Sequence, residues 1–190
     1  MHYIIEGDPK MTNSEYLDKL IKQISENSKE AFEQLYNETK TAVYAYALSV
    51  LKNSADAEDV LHDTFLSIHT SAASYKSIGK PMAWIMTVTK NLCMQKFRDA
   101  KKRVNEEYSE PFLSDSPELS VENKAIITDL LNKLSDEERE ILILHAVSGF
   151  KHREIAEFTD LPLSTVLSKY NRTVKKCKKI LEEGDAFNEQ

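Results

Sequence analysis

Residues 104–123 constrain the fold more than any other stretch of the chain. The run from Val104 to Asn123 carries Pro111, Pro117, four serines and six acidic residues, with no helical period. A segment of this kind buries too little apolar surface to offset the entropy of ordering it, so it is expected to be an acidic, flexible linker. On either side of it apolar residues recur at helical spacing, and the whole 190-residue chain holds only four glycines and five prolines. Few breakers, with abundant Leu, Lys, Glu and Ala, favour helices. No strand-like alternation extends beyond a few residues. The expected fold is all-α: two small helical domains, residues 13–103 and 124–184, joined by the linker 104–123. Residues 1–12 read as a loose end, with Met11 a second candidate start.

Helical pattern begins near Glu15, and three helices stand out in the first domain. One places Phe32, Leu35, Tyr36, Val43, Ala47 and Val50 at helical spacing. The next is expected to be capped by Ser54, with Asp56 and Glu58 at the positive end of its dipole. Its apolar stripe is Ala57, Leu61, Phe65 and Ile68. The third starts at Pro81, a residue suited to a first turn, and runs through Trp84, Ile85, Val88 and Leu92 towards Arg103. The second domain opens with Ile126, Ile127, Leu130, Leu131 and Leu134 on one face. Ser135 and Glu138 then have the spacing of a capping box, and Gly149 ends that helix. Two short helical segments follow, from about His152 to Phe158 and from Ser164 to Leu181, broken by Thr159-Asp160-Leu161-Pro162.

The net charge is −6, which by itself argues against a nucleic-acid partner. Its distribution argues the other way. Lys90 to Arg103 holds six basic residues against Asp99 alone, and Arg139 to Lys179 holds nine against four acids. Two basic islands on an acidic chain suggest two separate polyanion contacts. The two cysteines, Cys93 and Cys177, are too far apart for a metal-type cluster. The start of the chain has no basic flank leading into an apolar core, and no stretch approaches the ~20 apolar residues of a membrane span. A cytoplasmic protein without cofactor, metal or direct membrane contact is expected.

Two helices joined by a tight turn, the second cationic, describe a helix-turn-helix. At 100° per residue, Val166, Tyr170, Val174, Cys177 and Leu181 fall on one side of the last helix. Thr165, Ser168, Lys169, Arg172, Lys175, Lys176 and Lys179 fall on the other, so one face packs and the opposite one suits a DNA groove. The helix from Pro81 carries a comparable strip, Thr87, Lys90, Asn91, Met94, Arg98 and Lys101, preceded by Tyr75 and Lys76 in a loop. Basic and amide groups near aromatics are suited to single-stranded bases. On the helix before it, Leu66 shares an exposed strip with Asp59, His62 and Asp63, the pattern of a protein contact.

These segments carry a family resemblance. Leu134-Ser-Asp-Glu-Glu-Arg-Glu-Ile-Leu142, Glu154-Ile-Ala-Glu157 and Pro162-Leu-Ser-Thr-Val166, with Ser168 and Arg172, resemble the sigma-factor domain that reads the minus-thirty-five promoter element. Asp56-Ala-Glu-Asp-Val-Leu-His-Asp-Thr-Phe65, with Ala83-Trp84, Asn91 and Arg98, resembles the core-binding and minus-ten-binding domain of the same family. The spacing is similar to that of the extracytoplasmic-function (ECF) group. The resemblance implies an alternative sigma factor, not an enzyme, with core RNA polymerase and promoter DNA as partners; an anti-sigma factor is left open as a third. It implies polymerase binding by Asp59, His62, Asp63 and Leu66. It implies contact with the minus-ten strand by Tyr75, Lys76, Thr87, Lys90, Asn91, Arg98 and Lys101. At the minus-thirty-five duplex it implies base reading by Leu167, Ser168, Asn171 and Arg172, with Thr165, Lys169, Lys175 and Lys176 around them. The linker is implied to thread through the polymerase. Departures from the family pattern include His62 for Gln, Asp63 for Glu, Gln95 for Asp, Asp160 and Ser164 for glycines, and Leu167 for a basic residue.

Two other readings differ in class. A helix-turn-helix regulator that never joins polymerase accounts for residues 124–181 but leaves the Asp59–Phe65 and Trp84–Arg103 segments unused. A metal-dependent hydrolase would need more than the pairs His62/His69 and His145/His152, which have no third ligand at suitable spacing.

Overall fold

A computed structural model describes residues 12–102 and 130–188 of the chain, without the side chains of 100–102 and 183–188. The linker and the Ile126-Ile127 pair therefore lie outside the described residues. Helix α1 spans Asn13–Ser25 and is opened by a capping box, in which Thr12 Oγ1 accepts from the Glu15 N–H while the Glu15 carboxylate accepts from the Thr12 N–H. Its apolar residues Leu17, Leu20, Ile21 and Ile24 follow the i, i+3, i+4, i+7 spacing and are all buried. Each such burial stabilises the fold by roughly 1.5–3 kcal/mol.

Helix α2, Lys29–Leu51, is capped by Ser28 and ends where Lys52 turns left-handed at φ 56°. Helix α3 spans Ser54–Ser71. Its cap is Asn53 rather than the expected Ser54: the Asn53 side chain accepts from the Asp56 N–H at 2.8 Å, while Ser54 is buried as the first helical residue. A short 3-10 turn, Ala72–Ser74, and an extended loop lead to α4, Pro81–Lys102.

Residues 130–132 are helical, and Leu131 and Leu134 are buried as expected. Helix α5, Asp136–Ala146, opens with the Ser135–Glu138 capping box. Gly149 at φ +72° then turns the chain so that the Phe150 N–H bonds back to Leu144 O. Helices α6, His152–Thr159, and α7, Leu163–Asn188, complete the described chain.

Helix α2 is the centre of the arrangement. It packs against α1, α3 and α4 on one side and against α5 on the other. Buried residues of both halves, among them Leu35, Val43, Tyr46, Ile141 and Leu144, form one continuous core. Polar contacts reinforce this seam. The Tyr46 hydroxyl donates to the Glu140 carboxylate at 2.9 Å, and Lys52 pairs with Asp136 at 2.8 Å. Lys80 pairs with Glu157 at 2.7 Å. The sequence expects two domains; in the structure they share an interface that no local signal announces.

Candidate polymerase and nucleic-acid interfaces

The helix-turn-helix is built from α6, the turn and α7. Asp160 takes the left-handed conformation, φ 56°, that its short polar side chain tolerates. Pro162 O accepts from the N–H groups of Thr165 and Val166, which starts α7 sharply. Ile155 and Val166 are fully buried and lock the two helices together. The outer face of α7 exposes Leu167, Ser168, Asn171, Arg172, Lys175 and Lys176, with Thr165 and Lys169 half-buried. Two cations of this face are held by the acidic first turn of α5: Lys169 by Glu137 at 2.6 Å and Lys176 by Glu138 at 3.1 Å. Arg172 Nε donates to Ser168 O at 3.2 Å, which aligns its guanidinium along the face. The packing side differs from the helical-wheel reading in two places. Thr173 is fully buried, and Leu181 is exposed because α7 has run past the elements it packs on.

On α3, Asp59, His62, Asp63 and Leu66 form one exposed strip, with Leu66 63% exposed while Leu61, Phe65 and Ile68 are buried. A residue that sequence reasoning missed, Lys96 of α4, reaches across to Asp59 at 2.6 Å and Asp56 at 3.3 Å. Its hydrogen bond and charge hold the Asp59 carboxyl below the usual carboxylate range, so Asp59 stays ionised.

On α4, Thr87, Asn91 and Arg98 are exposed. Asn91, Met94, Phe97 and Arg98 line a shallow recess of about 400 Å³. Met94 and Phe97 are 46% and 40% exposed, which makes this a mixed apolar and cationic surface suited to stacking. The side chain of Lys101 lies outside the described residues. Lys76 is exposed in the loop, whereas Tyr75 is half-buried, its ring 4.6 Å from Trp84 and its hydroxyl bonded to Asp18. Desolvation, and then that hydrogen bond, push the Tyr75 hydroxyl pKa upward. Lys90 is half-buried under α6, where it donates to Phe158 O at 2.8 Å.

Fold and surfaces define a helical protein with a helix-turn-helix, an exposed leucine–carboxylate strip and a cationic, apolar recess. The model of Sigma-70 region 2 matches residues 35–103, and that of Sigma-70, region 4 matches residues 124–177. The ECF RNA polymerase sigma factor SigK of Mycobacterium sp. (strain KMS) is 27% identical over 173 residues, covering 85% of this chain and 90% of the relative. SigK of Mycobacterium bovis (strain BCG / Pasteur 1173P2) is 22% identical over 185 residues, covering 93% and 98%. Among solved structures, RpoE of Bartonella quintana in complex with the anti-sigma factor NepR has a TM-score of 0.66 at 22% identity, covering 80% of this chain and 96% of that one. CnrH in complex with the cytosolic domain of CnrY has a TM-score of 0.63 at 22% identity, covering 88% and 98%. The chain belongs to the ECF RNA polymerase sigma factors, the alternative sigma factors that direct promoter recognition with core RNA polymerase. Among the described residues no helix is long and apolar enough to cross a membrane.

Proposed function

We propose that this sigma factor divides its work at the linker. Residues 13–103 bind core polymerase and the separated minus-ten strand, residues 124–184 bind the minus-thirty-five duplex, and residues 104–123 connect them through the polymerase. Asp59, His62, Asp63 and Leu66 form the polymerase-docking strip. Lys76, Thr87, Lys90, Asn91, Arg98 and Lys101 follow the minus-ten strand, with Tyr75 behind the loop. Thr165, Leu167, Ser168, Lys169, Asn171, Arg172, Lys175 and Lys176 face the duplex. Promoter opening follows from binding energy, without catalytic chemistry in this chain, and the protein acts in the cytoplasm. An anti-sigma factor is a further partner in this reading, supported by the complexes of its two structural relatives.

The observation that carries the docking assignment is Leu66, a large apolar side chain 63% exposed at the end of a strip that carries Asp59 and Asp63. A regulator that binds DNA without polymerase would leave that strip without an occupant. The experiment is co-purification of core polymerase with the wild-type chain and with Asp59→Arg/Leu66→Glu, combined with run-off transcription on genomic fragments. Loss of binding with unchanged helical content is expected; a double variant that binds core polymerase with wild-type affinity would place the docking face elsewhere.

A further inference from the structure

Helix α1 ends before the residues matched by the region 2 model, which begin at 35, yet it holds the loop that precedes α4. The hydroxyls of Tyr75 and Ser77 both donate to the Asp18 carboxylate, one to each oxygen, that of Ser77 at 2.8 Å. Ser14 donates to Gly79 O at 2.8 Å, and Gly79 stands at φ +73°, a conformation that suits glycine. The Tyr75 ring is also packed against Trp84. Residues 75, 77 and 79 are thus tied to α1, and the alternate residues Lys76 and Ile78 are left facing outward. Ile78 is 76% exposed, the most exposed large apolar side chain among the described residues.

A flexible loop would let an isoleucine collapse onto the nearest apolar surface. Three tethers at alternate positions prevent this and keep Ile78 in water beside a lysine. Preorganisation of this kind lowers the ordering cost of binding. We infer that Asp18 is a positioning residue for promoter opening: it fixes loop 75–80 so that Ile78 meets the face of an unstacked base while Lys76 meets the adjoining phosphate. This deepens the assignment of the loop to the minus-ten strand and rests on it.

Trp84 is the only tryptophan of the chain, so its fluorescence reports the loop directly. Quenching is read on the free full-length chain, and opening on the same chain with core polymerase at a promoter selected by run-off transcription. The test compares wild type with Asp18→Ala, Asp18→Asn and Ile78→Ser. Asp18→Ala should raise acrylamide quenching of Trp84 and slow open-complex formation, read by permanganate, by about tenfold. Affinity for core polymerase should change less than about twofold, since α3 is untouched. Asp18→Asn should recover part of both signals, because the amide oxygen still accepts one of the two hydroxyls. Increased quenching with wild-type opening overturns the proposal, as does unchanged quenching. If Asp18→Ala does not fold, Tyr75→Phe/Ser77→Ala removes both donors and is judged by the same two readouts. Ile78→Ser separates the two levels of the argument. A wild-type opening rate in Ile78→Ser removes Ile78 from the minus-ten site and overturns the proposal with it; slow opening in Ile78→Ser with normal opening in Asp18→Ala overturns only the role of Asp18.

Discussion

The Lys90 ammonium on α4 lies 2.8 Å from the Phe158 carbonyl at the end of α6 and 4.7 Å from the centroid of the Phe158 ring. One half of the chain thereby occupies a cation assigned to the minus-ten strand by the other. If Lys90 serves the minus-ten strand as proposed, it reaches DNA only after leaving this contact. Lys80 and Glu157, paired at 2.7 Å along the same seam, offer a way to hold it shut. In a Cys177→Ser background with Cys93 buried, Lys80→Cys and Glu157→Cys joined by a short thiol crosslinker should give a folded chain that forms open complexes poorly. Cleavage of the crosslink should restore opening. Undiminished opening by the crosslinked chain would show that the halves work without separating.

On α7 two cations, Lys169 and Lys176, are held by carboxylates of α5. Glu137, itself exposed, holds the half-buried Lys169 in a surface pair, a type of interaction worth about 0.2–1 kcal/mol. Glu137→Gln should therefore release Lys169 and strengthen duplex binding a few-fold at every site, with a steeper salt dependence. Arg172→Ala should instead relax preference at one base position, at a cost of about 1–3 kcal/mol. Both are read from binding to a randomised duplex library at two salt concentrations. A uniform loss in Arg172→Ala would make Arg172 a phosphate contact.

Arg139 is 2% exposed and donates to three main-chain carbonyls. Its Nε donates to Leu131 O at 3.0 Å, Nη2 to Leu134 O at 2.9 Å, and Nη1 to Ser49 O and Asp136, each at 3.1 Å. Only a planar fork reaches acceptors before α5, on α5 and across on α2 together. Arg139→Lys should lower stability by about 2–4 kcal/mol in urea unfolding, because several buried carbonyls lose their donors. A loss under about 0.5 kcal/mol would mean that water replaces the guanidinium.

His152 stacks on His145 with ring centroids 4.4 Å apart, and Tyr170 meets both rings edge-on at 4.7 Å. Desolvation, and then the neighbouring His145, hold the His152 pKa below its ordinary 6.5. The unfolded chain therefore takes up this proton first as the pH falls. Stability present above 6.5 is lost progressively below it, until the folded protein also binds the proton. Urea midpoints should drop between about pH 7 and pH 5.5, and His152→Phe should flatten that part of the profile. An identical slope in His152→Phe would assign the drop to other groups.

Much of the fold was legible because it depends on neighbours in the chain. The Ser135–Glu138 box, the left-handed Asp160 and the sorted faces of α7 follow from spacings of a few residues, within which side-chain direction is set by helix geometry. Even locally, one hydrogen bond decided against Ser54 and for Asn53 as the cap of α3. What the tertiary structure alone decided is which of the exposed-looking groups are already engaged. Tyr75 is claimed by Asp18, Lys90 by Phe158, Lys169 by Glu137 and Lys96 by Asp59. The Tyr46–Glu140 bond closes across 94 positions and the Ser77–Asp18 bond across 59. Residue types and spacing determine that a face is cationic or apolar. Which distant group lies opposite it depends on how the helices pack, and no periodicity encodes that, because packing is set by the shape and volume of the whole core.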